Sequence, residues 1–91
     1  MKNENVIKAF LRKENAHATN LFTKRENNKY VLVNYETPIA YIEGSTLWIN
    51  QCKYSTSTSK IQSKLNYLAS QQHTYEVVYY NEGKKDKKGG F

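Results

Sequence analysis

Apolar residues near the start of the chain recur at the spacing of an α-helix. Positions three or four residues apart fall on one helical face, and the apolar residues on this face are Val6, Ile7, Phe10 and Leu11. Asn3 and Asn5 precede these residues, and asparagine is one of the residue types that most often cap a helix. The pattern predicts an N-terminal helix from about Asn5 to Asn15.

From His17 onward the period changes to the alternation that is typical of β-strands. The first strand is predicted to lead into a hairpin turn at residues 26–29, where two asparagines tolerate the positive φ of tight turns. Three further segments are rich in strand-favouring residues: 30–35, 39–42 and 46–50. Pro38 is predicted to break the chain between strands, and residues 43–45 supply the next turn.

A second helix is predicted after residue 60, because apolar residues again follow the helical repeat. They are spaced i, i+4 and i+7: Ile61, Leu65 and Leu68. The helix is expected to end near Gln72, since residues 74–80 return to β-favouring types. Residues 82–91 form a lysine-rich tail that is apolar only at Phe91, and the tail is expected to be disordered.

This order of elements predicts an α+β fold. A chain of 91 residues supports one domain, which we place at residues 1–81. Consecutive hairpins favour a four- to five-stranded, mainly antiparallel sheet, with an N-terminal helix and a helix between strands 4 and 5. Both faces of the predicted sheet carry apolar or aromatic residues. Either helices cover both faces, which small layered folds favour, or one face is partly open and serves as a contact surface.

The chain offers few groups for catalysis. Its only aspartate, Asp86, lies in the tail, so a Ser-His-Asp arrangement would have to use that residue or a glutamate. The remaining nucleophile and base are Cys52 with His17 or His73. One cysteine and two distant histidines lack the short spacing of a zinc site, and the first glycine, Gly44, begins no nucleotide-binding motif. We expect a protein that is not an enzyme and carries no metal or cofactor.

Cysteine content and the first residues bear on the compartment. A single cysteine cannot form an internal disulfide, and residues 1–15 lack the apolar run of a signal peptide. No segment approaches the ~20 apolar residues of a membrane span. The expected location is the cytoplasm, with no membrane partner.

The net charge of +6 is concentrated towards the two ends of the chain. Residues 1–29 hold seven Lys and Arg against three Glu, whereas residues 30–81 balance at three each. Basic residues interleaved with aromatics can grip nucleic-acid phosphates. The basic candidates for partner binding are Lys8, Arg12, Lys13, Lys24, Arg25 and Lys29. Twelve lysines and two arginines fit nonspecific phosphate contact better than base reading, and a lysine-rich tail also serves solubility alone.

Aromatic residues in the last two strands supply a second set of partner-binding candidates. In the fourth strand, alternation sends Leu47 and Ile49 to one face and Trp48 to the other. In the fifth strand, it separates Tyr79 from Tyr80. Aromatic side chains are frequent anchors in interfaces, so Trp48, Tyr79 and Tyr80 are expected to contact a partner.

Residues 54–60, YSTSTSK, place five hydroxyl side chains between a tyrosine and a lysine. A flexible spacer is disfavoured, because an apolar strand ends shortly before this run and a helix follows it. The structural interpretation makes Ser57, Thr58 or Ser59 the N-cap of the second helix. The functional interpretation adds a phosphate, held at the helix start by the same hydroxyls together with Lys60 and Lys64.

Three segments carry a resemblance: TPIAY at 37–41, LWIN at 47–50 and KYSTSTSKIQSKL at 53–65. Together they resemble a group of small uncharacterised proteins encoded by phages and plasmids of AT-rich Gram-positive bacteria. The high content of Lys, Asn and Tyr, whose codons are AT-rich, agrees with such an origin. The resemblance implies a small protein that binds and blocks host defence machinery, as anti-CRISPR proteins do.

Two hypotheses for function follow. The first is inhibition of a host nucleic-acid-handling defence complex, in which the partner is a host protein or a ribonucleoprotein such as a CRISPR nuclease effector. The second is direct binding of single-stranded DNA or RNA by a small regulatory protein.

Overall fold

The computed structural model describes residues 2–52 and 54–81. The elements in chain order are α1 (Asn3–Leu11), β1 (Leu21–Glu26), β2 (Lys29–Asn34), β3 (Thr37–Glu43), β4 (Thr46–Asn50), α2 (Thr56–Ser70) and β5 (Glu76–Tyr80). The predicted α+β fold is confirmed, with an N-terminal helix, a mainly antiparallel five-stranded sheet and a helix between β4 and β5. The tail predicted to be disordered, residues 82–91, lies outside the described residues.

The strands lie side by side in chain order, from β1 to β5. Hairpins make the first three pairings antiparallel, and the turns use residues with positive φ: Asn27, Tyr35 and Gly44. β5 instead runs parallel to β4, because α2 carries the chain back to the end of the sheet where β4 began.

α1 begins and ends earlier than the sequence predicts. Its N-cap is Lys2, whose side chain makes no capping hydrogen bond, so neither Asn3 nor Asn5 has the predicted role. The helix ends at Leu11, and Lys13 adopts a φ of 58°, which an α-helix cannot continue. The apolar repeat placed the helix correctly, but it contained no signal for this left-handed turn.

The sequence predicted that Pro38 would break the chain between strands, and this prediction is wrong. Pro38 lies inside β3, at a point where the register with β2 shifts and leaves Ile39 without a partner in β2. Such a bulge tolerates a residue that lacks a backbone N–H. The chain reverses earlier, at Tyr35, which has a φ of 60°.

α2 begins at Thr56, so the N-cap is Ser55 and not Ser57, Thr58 or Ser59 as predicted. The Ser55 Oγ accepts a hydrogen bond of 3.2 Å from the Thr58 N–H. The hydroxyl run is therefore the first turn of the helix. Ser and Thr are poor markers of a boundary when several stand in a row, because each of them is a good cap.

Both helices pack on the same face of the sheet. The core joins apolar residues of α1, α2 and the sheet, and its largest members include Ile7, Phe10, Leu32, Leu47, Ile49 and Leu65. The helices also touch each other, through an ion pair of 3.7 Å between Lys64 Nζ and Glu4 Oε1. The expectation that helices cover both faces is therefore wrong for the described chain. No helix of residues 2–52 and 54–81 lies on the other face.

Candidate binding surface on the open face of the sheet

The register of the strands identifies the side chains on the face that no described helix covers. Residues paired across neighbouring strands project to the same side, and Tyr41 pairs with Val31 on β2 and with Trp48 on β4. This row continues to Val78 on β5, and the next row on the same side contains Phe22, Val33 and Tyr80. The valine and aromatic residues of these two rows number seven, and we call them the open face: Phe22, Val31, Val33, Tyr41, Trp48, Val78 and Tyr80. None of the seven belongs to the core beneath the helices.

The centre of the open face is an aromatic cluster. The rings of Tyr41 and Trp48 stack, with centroids 5.7 Å apart and planes inclined by 14°. The Tyr80 ring lies 5.9 Å from Tyr41 in a tilted arrangement. Lys29 Nζ sits 4.7 Å from the centroid of the Tyr41 ring, within the range of a cation–π contact. These contacts restrict the conformations of the side chains in the cluster.

The side chains of the open face differ in how far they are buried. Val31 and Val33 are each 4% exposed, whereas Phe22, Tyr41 and Trp48 are half-buried. The aromatic rings are therefore partly exposed to solvent, whereas the two valines beside them are buried. Apolar centres of this kind are where interfaces concentrate their binding energy.

A row of charges borders the open face at the end where the β1–β2 and β3–β4 turns lie. Glu26, Lys29, Glu43 and Glu76 form this row, and Lys24 lies on β1 at the edge of the row that contains Tyr41, so two lysines stand against three glutamates. The rest of the described chain carries seven lysines and arginines against three glutamates. The positive charge of the described chain therefore lies away from the open face, on the helix side and in the loops.

The structure brings together only some of the predicted partner-binding residues. Trp48 and Tyr80 meet through Tyr41 on the open face, whereas Tyr79 pairs with Ile49 and projects to the helix side. Lys24 and Lys29 border the open face. The other predicted basic residues lie on the helix side of the molecule: Lys8, Arg12, Lys13 and Arg25.

Most of the basic residues on the helix side already have partners. Lys8 Nζ lies 3.3 Å from Glu4, and Arg12 Nε lies 3.2 Å from Glu14. Lys13 lies over the ring of Tyr75 and Arg25 over the ring of Tyr30. These contacts are exposed, so they leave the charges accessible to an anion.

Sequence reasoning missed Tyr41, the residue that links the cluster. The sequence analysis predicts only a strand for its segment, although alternation alone places Tyr41 on the face opposite Ala40 and Ile42, which belong to the core. Pairing Tyr41 with Trp48 requires the β3–β4 register, which follows from the tight turn at Gly44. The turn at residues 43–45 is predicted from the sequence, and the pairing of Tyr41 with Trp48 follows from it.

The hydroxyl run lies beside a groove of about 310 Å³ between the starts of the two helices. Ser57, Lys60 and Lys64 line this groove. Thr58 does not, because it is buried and its hydroxyl donates a 2.6 Å hydrogen bond to Asn34 Oδ1. Ser59, half-buried, lines a different depression. The predicted phosphate-contacting residues therefore do not converge on one point.

Glu4 also lines the groove, and its carboxylate forms ion pairs with two lysines. Its carboxylate contacts Lys8 and Lys64, and the hydrogen bond from Lys8, followed by the charge of Lys64, lowers the pKa of Glu4. An anion in the groove would meet this carboxylate. The geometry thus gives the phosphate interpretation little support.

The residues considered for catalysis lie on three different segments of the fold. Cys52 is buried just after β4, and its carbonyl accepts a hydrogen bond from Gln62. His17 is exposed and forms a bridge with Phe22 beside β1, at the far edge of the sheet. His73 is exposed in the loop before β5. Across residues 2–52 and 54–81, no three His, Cys, Asp or Glu side chains cluster as metal ligands would.

Neither helix in the described part of the chain has the length and apolar character needed to cross a lipid bilayer. The chain matches no protein-family model, no curated protein and no solved structure. The open face is therefore interpreted from its own geometry.

Proposed function

We propose that this protein is a non-enzymatic binding domain that docks on a protein surface through the open face of its sheet. One observation carries the proposal: an aromatic cluster, centred on Tyr41 and Trp48, lies on a sheet face that no described helix covers. A domain of this size has little apolar area to spare, and aromatic residues without a structural layer above them are typical of interfaces.

The charges around the open face favour a protein partner over a nucleic acid. Three glutamates and two lysines border the cluster, so the face has no excess of positive charge with which to attract phosphates. A polar rim of mixed sign around an apolar centre is the usual anatomy of a protein–protein interface. The mixed rim also gives a partner specific positions for charge pairing.

The sequence resemblance supplies the kind of partner. If the chain shares the role of small phage and plasmid proteins, it inhibits a host nucleic-acid-handling defence complex, with a CRISPR nuclease effector as the expected target. Binding of a rigid sheet face to such an effector would block a groove that the effector needs for its nucleic acid.

The test is a cleavage assay with type II nuclease effectors and an affinity pull-down from the natural host, with and without nuclease treatment. We expect inhibition and a protein partner that survives the nuclease. Trp48→Ala should weaken partner binding by at least about 30-fold, as loss of a central aromatic anchor does. Tyr67→Ala is the matched control, because Tyr67 is an exposed aromatic residue on α2. Full nuclease activity at saturating protein would refute inhibition of those effectors, and equal effects of the two variants would refute docking through the open face.

A second candidate function is direct binding of single-stranded nucleic acid on the helix side. The observation in its favour is the unequal charge, seven lysines and arginines against three glutamates away from the open face. This hypothesis predicts an oligonucleotide affinity that falls by about 10³-fold or more between about 50 and 200 mM salt, if several phosphates are contacted. Absence of binding at low salt would remove it, and Trp48→Ala should leave such binding unchanged.

A further inference from the structure

β5 forms one edge of the sheet, and its outward backbone groups have no partner among the described residues. Two hydrogen bonds fix which groups face inward: Glu76 N–H donates to the Ser45 carbonyl at 3.0 Å, and the Tyr80 carbonyl accepts from Gln51 N–H at 2.7 Å. Backbone groups alternate in direction along a strand. The N–H and C=O groups of Val77 and Tyr79 therefore point away from the sheet.

The opposite edge of the sheet is protected, which makes the exposure of β5 informative. Beside β1, Thr23 N–H donates to the Ala16 carbonyl at 3.0 Å, and Ala18 N–H donates to the Leu21 carbonyl at 2.7 Å. The remainder of β1 carries charged residues, which discourage strand addition: Lys24, Arg25 and Glu26. No segment of the described residues pairs with the outer edge of β5, and Glu76 is its one charged residue. Its sequence, EVVYY, contains no lysine and no proline.

We propose that two copies of this chain associate through their β5 strands, which pair antiparallel about a two-fold axis at Val78 and join the two sheets. In this register Val77 of each copy lies opposite Tyr79 of the other. Both residues have outward backbone groups, so each pair exchanges two hydrogen bonds. Strand addition at an exposed edge is a common way for a sheet to bind an extended chain.

The side chains of β5 fit a second copy of the same strand. On the helix side, Tyr79 is 51% exposed and would pack against the partly buried Val77 of the other copy, an aromatic and β-branched pair that favours sheet formation. On the other side, Val78 meets its own counterpart and Glu76 meets Tyr80. The antiparallel arrangement keeps the two Glu76 carboxylates at opposite ends, so like charges do not meet.

A symmetric contact also explains why the second copy is preferred over a foreign strand. The same five residues supply both sides, and a two-fold pairing closes after one partner and leaves no further β5 edge exposed. Such a dimer joins two open faces into a wider surface. The inference does not depend on the proposed function, because one copy already contains the whole aromatic cluster.

The first test is the mass of the protein in solution, measured by sedimentation equilibrium from about 10 µM to about 1 mM. A five-residue strand pair is smaller than a standard interface, so we expect a dissociation constant of about 10–100 µM. Tyr79→Lys places an edge lysine in the contact and should weaken association by about tenfold or more. Tyr67→Lys is the matched control, since Tyr67 is 62% exposed on α2, and it should associate like the natural chain.

Amide hydrogen exchange of the natural chain gives a second readout that does not depend on how a variant folds. The Val77 and Tyr79 amides should become protected as the concentration rises, whereas the Val78 amide, which faces β4, should be protected throughout. A chain that stays monomeric at about 1 mM would overturn the proposal. So would equal weakening by Tyr79→Lys and Tyr67→Lys, or exchange at Val77 and Tyr79 that does not change with concentration.

Discussion

A buried hydrogen bond between two side chains joins the sheet to α2 at the scale of single residues. The Thr58 hydroxyl donates to Asn34 Oδ1 at 2.6 Å, and Asn34 Nδ2 donates to the Asn20 carbonyl at 2.8 Å. Asn34 is fully buried, so each of its polar atoms needs a partner within the protein. The Thr58 hydroxyl of the run is thus committed to a structural hydrogen bond.

Thr58→Val should lower the free energy of unfolding by about 1–3 kcal/mol, because the near-isosteric valine leaves Asn34 Oδ1 buried without its donor. Urea denaturation measures the change. Thr56→Val is the matched control, since Thr56 is exposed in the same helical turn and should change stability by less than about 0.5 kcal/mol. Equal effects of the two substitutions would contradict the role of the buried hydrogen bond.

Ser55→Ala should destabilise the protein by about 1 kcal/mol, because it removes the oxygen that accepts the Thr58 N–H at the start of α2. Ser57→Ala, at an exposed position of the first turn, should have little effect on the same denaturation curve. A larger loss of stability from Ser57→Ala would return the N-cap to the position that the sequence predicted.

At the scale of elements, the two helices are connected by one carboxylate. Glu4, near the start of α1, contacts Lys8 one turn later and Lys64 on α2 at 3.3 and 3.7 Å. These contacts keep the pKa of Glu4 below its ordinary value, with the hydrogen bond from Lys8 as the largest cause. Because all three side chains are substantially exposed, their attraction is weak and salt-sensitive.

The lowered pKa of Glu4 sets the sign of a pH effect. A group whose pKa is lower in the folded state stabilises that state above its unfolded pKa, and this stabilisation is lost as the pH falls through the folded pKa. Urea denaturation at a series of pH values below about 4.5 should therefore show a smaller decline in stability for Glu4→Gln than for the natural chain. Glu36→Gln, in the exposed turn before β3, is the control. Identical pH profiles for the natural chain and Glu4→Gln at low salt would contradict the connection.

At the scale of the whole molecule, the sheet separates the core from the proposed interface. Its helix side holds the core, in which Leu47 and Ile49 are fully buried, and its other side carries the aromatic cluster around Tyr41 and Trp48. The positive charge of the described chain also lies away from the cluster. Neighbouring residues of one strand therefore lie in different environments, the core and the open face.

β4 allows this division to be measured with adjacent residues. Leu47→Ala should cost about 2–5 kcal/mol of unfolding free energy, as expected for a fully buried leucine. Trp48→Ala should cost less than half as much in thermal or urea denaturation, because its side chain is only half-buried. Partner binding by the folded variants should show the reverse order. A greater loss of stability at Trp48 would mean that the open face is a second core and not an interface.

The sequence by itself determined the type and order of the elements. The helical repeat at residues 61–68 and the alternation at 46–50 are local patterns, and the burial of one face in each element preserves them. Boundaries were less certain, because they depend on single φ angles such as those of Lys13 and Tyr35, which no repeat encodes. The tail and the proposed partner stay predictions.

Only the tertiary structure decided which face of the sheet is open. Apolar residues on both sides of β4 and β5 fit helices on both faces equally well. The choice depends on contacts between distant parts of the chain, such as the Thr58–Asn34 hydrogen bond and the shared apolar core that joins α1 and α2 to one side of the sheet. A periodic pattern states that a residue is buried or exposed within its own element. It does not state which other element covers it, because that is settled by packing the whole chain at once.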